Sequence, residues 1–204
     1  MNNLLTLVIG VLITIAISML GLVLIPSWQF ESLQPVSIGE GENAATYPVA
    51  LNEQQARGKE VYQSLGCIYC HSQQVRAEGF GADIDRGWGQ RRSIPRDYAL
   101  QDRPLLGTMR TGPDLANIGF RQPGDDWHHL HLFNPQFTSA GSIMPPHRFL
   151  YTVTSQAPSA DEVAYKAPTG FYNSATWIAP SDDAKALVAY LKSLNQPYKL
   201  EEVR

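Results

Sequence analysis

Two cysteines three positions apart, followed at once by a histidine, stand at Cys67-Ile68-Tyr69-Cys70-His71. This order is the attachment pattern of a c-type haem. Each thiol can add to one of the two vinyl groups of the porphyrin, and the offset lets one turn of backbone present both sulfurs to the same porphyrin edge. His71 then falls beside the iron, where a neutral imidazole is a good axial ligand. Three other chemistries use close cysteine pairs. A tetrahedral zinc site usually takes a second Cys or His pair at similar spacing, and the chain has no further cysteine. A redox dithiol is expected at the start of a helix in a βαβ setting, whereas the residues before Cys67 read as helix. A structural disulfide is the third alternative. The reading adopted is one covalently attached haem c.

An iron held by His71 calls for a second axial donor. Met144, in the proline-rich run Ser142-Ile143-Met144-Pro145-Pro146, is the best candidate. A thioether is a soft donor that suits haem iron and raises its potential relative to a second histidine. Met109, His147 and the histidines near position 130 are the alternatives. The run Thr111-Gly112-Pro113-Asp114-Leu115 offers a proline whose carbonyl could accept the ring N–H of His71 and orient the imidazole; the plainer reading is a simple turn. The irregular stretch from Ser72 to Arg110 holds seven arginines, from Arg76 to Arg110. They read either as a solvated loop with local ion pairs or as a docking and propionate-binding surface, with Arg110 the candidate for the second role. His128, His129 and His131 lie on a short helix expected over Asp125–Phe133, capped by Asp125 or Asp126. They read as packing or surface residues before they read as a second metal site.

Two longer helices should carry these groups. One is expected from Asn52 to Leu65, with Asn52 as cap and Glu53 in the first turn; Gly66 stops it just before Cys67. The other runs from Ser181 to Asn195, capped by Ser181, with Ala184, Leu187, Val188, Leu191 and Leu194 at spacings of three and four. This stripe should cross the first helix near Gly58. Ahead of them, Leu4–Ile25 carries no charge, and a helix of that length is about 33 Å long, enough to cross a bilayer core. Pro26 and Trp28 suit the end of such a span. No basic n-region precedes it, since the first basic residue is Arg57, so a retained anchor is expected rather than a cleaved signal. Gln34–Tyr47, rich in Gly, Glu, Ser and Pro, reads as an extended linker. The expected division is an anchor over 1–30, a linker over 31–50, and a mainly α haem domain over 51–204 with insertions at about 74–108 and 146–180. The net charge of −3 gives no reason to expect nucleic acid. Haem attachment of this kind places the domain on the outer, oxidising side of the inner (cytoplasmic) membrane as a single-pass protein.

The order of these elements resembles a class I cytochrome c domain on one membrane helix. The runs Gly58-Lys59-Glu60-Val61-Tyr62, Cys70-His71-Ser72-Gln73-Gln74-Val75-Arg76, Arg110 to Leu115, Asp126-Trp127-His128 through Asn134-Pro135, and Ser142 to Pro145 are similar to the mono-haem subunit II of cbb-type (C-family) haem–copper oxidases. The resemblance covers the anchor and about residues 50–150. It implies one haem c with thioether sites at Cys67 and Cys70 and axial ligands His71 and Met144. It also implies that Pro113 orients His71 and that Arg110 meets a propionate. The implied role is to pass electrons from a donor cytochrome c to a haem-b-containing catalytic membrane subunit. The segments Gly79–Leu106 and Pro146–Pro180 depart from the family pattern, so an equivalent subunit of a nitric oxide reductase stands as an alternative. A free-standing anchored carrier and a gas-sensing haem with one labile ligand complete the set.

Overall fold

The computed structural model describes residues 3–39, 44–159, 162–172, 175–196, 198 and 200. The chain is mainly helical. One apolar N-terminal helix, long enough to cross a membrane, precedes a soluble domain. By internal contacts it divides into two units: residues up to Ala50 together with Ile94–Asp102, and Leu51–Ser93 together with the residues from Arg103 onward.

In the first unit, helix α1 runs over Leu4–Glu31, further than the expected end at Pro26. Pro26 has no N–H to give the ladder, and its ring would crowd the carbonyl four residues back. The helix absorbs this with one wider π-turn over Leu20–Leu24, where the Ile25 N–H reaches the Leu20 carbonyl. Asn3 caps the start, its side chain accepting from Leu5 N at 3.1 Å. The segment read as an extended linker contains a hairpin, β1 (Val36–Ile38) paired antiparallel with β2 (Ala45–Tyr47). The buried Tyr47 hydroxyl donates to Asp97 Oδ1 at 2.7 Å, and Asp97 Oδ2 accepts from Ile94 N at 2.8 Å, closing the 3-10 turn Pro95–Tyr98. Arg96 donates to the Gln34 carbonyl.

The second unit is built on α2 (Glu53–Ser64) and α5 (Asp182–Ser193). Asn52 and Gln55 cap each other's backbone N–H groups at 2.9 and 3.0 Å, and Ser181 Oγ accepts from Ala184 N at 3.2 Å. The stripe from Ala184 to Leu194 is buried. The helices cross where expected: a Cβ on Gly58 would lie 1.9 Å from the Ala186 carbonyl oxygen. Beside this crossing Tyr62 and Tyr190 meet edge to face, 5.5 Å between centroids. The one-turn α3 (Ile118–Arg121) and α4 (Asp125–Phe133) complete the helical set. Asp125 and Asp126 lie in the first turn of α4, and the cap position is Gly124, not either aspartate. Lys192 on α5 pairs with Asp125 at 2.5 Å.

The described residues of the 146–180 insertion contain a three-stranded antiparallel sheet, β3 (Tyr151–Thr154), β5 (Trp177–Pro180) and β4 (Tyr165–Lys166), with β5 in the middle. Ile178 of β5 and Ala167, the residue after β4, pack against Phe133 of α4.

Candidate functional site

Gly66 stops α2 with φ of +73°, a left-handed conformation that glycine adopts without strain. The chain then makes a 3-10 turn over Cys67–Tyr69, and the His71 N–H returns to the Cys67 carbonyl at 3.0 Å. The turn delivers the two thiols and the imidazole as one unit. Cys67 is half-buried and Cys70 exposed, and they are not bonded to each other. Burial pushes the Cys67 thiol up to about 11. A redox dithiol needs the opposite, a thiol pulled down toward neutral pH, so the environment disfavours that alternative.

His71 Nδ1 donates to the Pro113 carbonyl at 2.8 Å. A carbonyl can only accept, so this bond fixes the tautomer and leaves Nε2 with its lone pair free to bind a metal. Burial disfavours protonation of the ring, offset in part by Pro113. The backbone on either side is pinned: Gly112 N to the Cys70 carbonyl at 2.9 Å, Leu115 N to the Ser72 carbonyl at 2.8 Å, and Gln73 N to the Leu106 carbonyl at 2.8 Å. The approach is so close that a Cβ on Gly112 would lie 2.3 Å from His71 Cε1, and one on Gly107 would lie 2.6 Å from the His71 carbonyl oxygen.

Met144 is half-buried and packs on the main core cluster, the same cluster that Cys67 and Ile68 touch. That cluster joins Leu105, Leu115, Leu132 and Leu150 to the buried face of α5. Met109 is 57% exposed, so of the two loop methionines only Met144 belongs to the apolar interior shared with the cysteine turn. His147 N donates to the Leu132 carbonyl at 2.8 Å, tying the Met144 loop to α4. The histidines of α4 are engaged elsewhere. His128 Nε2 donates to the Gln122 carbonyl at 2.9 Å; His129 stacks on Tyr165 and meets the Tyr151 hydroxyl at 3.1 Å; His131 stacks on Trp127 and meets Thr138 Oγ1 at 2.6 Å. Among the described residues no group of three or more His, Cys, Asp or Glu is placed to hold a metal ion.

Arg110 is drawn into the protein rather than left for a ligand. Its Nε donates to Ser72 Oγ at 2.8 Å, Nη1 to Asp83 at 2.6 and 2.7 Å, and Nη2 to the Gln74 carbonyl at 2.6 Å. The fork is filled, which argues against the propionate role expected for it. The group that fits an acidic cofactor better is Arg121, which sequence reading passed over. Its Nη2 donates to the Asp114 carbonyl at 2.5 Å, while its Nε is buried with no partner. A half-buried guanidinium with a buried, orphaned Nε donor suits a carboxylate such as a haem propionate, and its charge is close enough to help disfavour protonation of His71. Nothing local in Phe120-Arg121-Gln122 signals this role; it depends on α3 packing under the Pro113 turn.

The donor set therefore fits a haem: two thiols presented by one turn, an oriented imidazole, a thioether in the shared apolar core, and a half-buried cation with an orphaned donor. Comparison with known families agrees. The description "cytochrome c oxidase, mono-heme subunit/FixO" matches residues 2–167, from the membrane helix through β4. Both segments read from sequence as departures, 79–106 and the first part of 146–180, fall within that match. No curated protein matches the chain. The chain belongs to the FixO family of cytochrome c oxidase mono-heme subunits.

Proposed function

We propose that this chain is the membrane-anchored, single-haem electron-transfer subunit of a cbb-type respiratory oxidase. It takes electrons from a donor cytochrome c and passes them to the haem-b-containing catalytic subunit. The observation that carries this reading is the His71 Nδ1–Pro113 hydrogen bond at 2.8 Å directly beside the Cys67–Cys70 turn, which prepares Nε2 as a ligand. When bound, haem c changes its iron between ferric and ferrous and so holds one electron at a time. Cys67 and Cys70 would fix it covalently, His71 and Met144 would supply both axial donors, and Arg121 would meet a propionate. Filling both axial positions leaves none for substrate, so oxygen reduction belongs to the partner. Helix α1 would cross the inner membrane once, with the haem domain on the periplasmic side, where the donor is met.

The test is the haem and metal content of the complex that co-purifies with the full chain in mild detergent. Haem c together with haem b and copper is the expected result. Haem b and non-haem iron without copper would move the chain to a nitric oxide reductase. Haem c with no partner would make it a free-standing carrier and sink the subunit reading.

A further inference from the structure

Asp83 is fully buried, yet it sits in an insertion with little regular structure. Its carboxylate accepts from Arg76 N at 2.8 Å, from the Arg76 guanidinium at 2.9 Å, and from Arg110 Nη1 at 2.6 Å. Arg110 in turn donates to Ser72 Oγ at 2.8 Å, and Ser72 Oγ donates to Asp114 Oδ2 at 2.6 Å. Asp114 is itself fully buried and also accepts from Gln74 N at 2.7 Å and Ala116 N at 2.9 Å. The Arg110 guanidinium lies over the Trp88 ring, 5.6 Å from its centroid.

The ends of this chain of contacts fall in an informative place. Ser72 is the residue after His71, and Asp114 is the residue after Pro113. The network therefore ties together the two backbones that the His71–Pro113 hydrogen bond spans, one residue beyond that bond on each side. As a source of stability alone, a buried carboxylate between two arginines is a poor choice, because apolar side chains of similar volume do as well. What such a cluster supplies is a fixed geometry. Burial alone would push the Asp83 carboxyl up, but the Arg76 and Arg110 hydrogen bonds outweigh it and hold it at about 2, so the clamp is charged throughout the neutral range.

We infer that Asp83 and Arg110 are positioning residues for the iron ligand: through Ser72 and Asp114 they hold the His71–Pro113 hydrogen bond at its length, and so set the reduction potential of the haem. This rests on the functional reading above. A tight Nδ1–H···O=C bond makes the imidazole a more basic ligand, which favours ferric iron and keeps the potential down. Loosening the clamp weakens that bond and raises the potential. Removing the Asp83 charge leaves two arginines uncompensated nearby, which favours the ferrous state and acts in the same direction.

The experiment is an optical redox titration of haem c in the intact purified complex, with hydrogen exchange at residues 72–75 measured on the same samples. Asp83→Asn is expected to raise the midpoint through both effects. Arg110→Lys keeps the charge but cannot fork between Asp83, Ser72 and Gln74; it is expected to raise the midpoint through the histidine alone. Both should quicken exchange of the Gln74 N–H about tenfold, the loss of a hydrogen bond held to a buried charge. If Asp83→Asn does not accumulate, Arg110→Lys decides the matter. An unchanged or lowered midpoint in Arg110→Lys overturns the inference. A wild-type complex without haem c would sink the functional reading instead, and exchange at Gln74 in Arg110→Lys would then still show whether the clamp holds the loop.

Discussion

The two loops expected to bring donors to the iron are held in different ways. The His71 loop is fixed by backbone bonds to 106, 112 and 115, by the Pro113 carbonyl, and by two fully buried carboxylates with their arginines. The Met144 loop has the His147–Leu132 backbone bond, a Ser142 N to Ser139 carbonyl bond at 3.1 Å, a long Met144 N to Ser142 Oγ contact at 3.3 Å, and apolar packing. Its flanks, Ile143 and Phe149, are 80% and 70% exposed. The difference follows the chemistry of the donors. An imidazole must be held in one tautomer and one ring orientation, and that takes directional bonds. A thioether binds through a flexible, unbranched side chain that adapts to its surroundings, and apolar packing suffices to keep it near.

The largest effect should come from adding one methyl group on the His71 side. Gly112→Ala places a Cβ 2.3 Å from the ring of His71, with pinned backbone on both sides and nowhere to move. The expected cost is about 3 kcal/mol of stability, with loss of the ring orientation and hence of haem incorporation. The haem c content of membranes carrying the variant checks this; normal content would show that the His71 loop is softer than its hydrogen bonds imply.

Met144→Ala tests the other side. Truncation of a half-buried Met should cost about 2 kcal/mol, and the protein should still fold and attach haem through the cysteines. The oxidised spectrum should lose its sulfur–iron band, and the midpoint should fall as a weaker or oxygen donor replaces the thioether. A spectrum and potential identical to wild type would remove Met144 as a ligand.

Acid should separate the two sides without mutation. Burial holds His129 and His131, on the α4 helix behind the Met144 loop, at about 4. In the unfolded chain they take up protons near 6.5. The unfolded state therefore binds more protons between these values, so stability is complete above pH 6.5 and is lost as pH falls toward 4. At its steepest the loss is about 1.4 kcal/mol per pH unit for each histidine. Asp83, held at about 2, loses its contribution in the same direction but in a lower window: it is intact above pH 3.8 and fades only below. In the haem-loaded protein, where His71 would be held by the iron and take up no proton, hydrogen exchange at pH 5 should thus quicken around 128–147 while 72–76 and 110–116 stay protected. Equal loss of protection on both sides would contradict the comparison.

Most of the His71 side and both long helices could be read from sequence because their signals are local. Caps at Asn52 and Ser181, a stripe at helical spacing, and the Cys-x-x-Cys-His turn each lie within a few consecutive residues. The Pro113 carbonyl was legible as well, because it follows the cysteine turn in the chain and had one obvious donor to meet. What escaped was non-local. Strands of two to four residues, such as Tyr165–Lys166 and Val36–Ile38, are too short to display an alternating pattern. Asp83 looked like any loop carboxylate because its partner Arg110 lies far along the chain. The contrast between Arg110 and Arg121 is non-local for the same reason: which arginine is filled by protein acceptors is decided by packing.

Gly141 supplies the smallest and most discriminating perturbation. Like Gly107 on the His71 side it has a positive φ, +76° against +73°, so alanine is strained at either position. The surroundings differ: a Cβ on Gly141 meets nothing within 4 Å, whereas one on Gly107 meets the His71 carbonyl oxygen at 2.6 Å. Backbone strain alone costs about 1 kcal/mol. Gly141→Ala should therefore lower stability by about that amount in denaturant titrations of the detergent-solubilised chain, with the sulfur–iron band and the midpoint unchanged, because the loop can relax into open space. Gly107→Ala carries the same strain plus a clash with the ligand's own backbone, and should cost clearly more and move the midpoint. The backbone conformation being equal, any excess in Gly107→Ala measures how tightly the protein grips the histidine compared with the methionine.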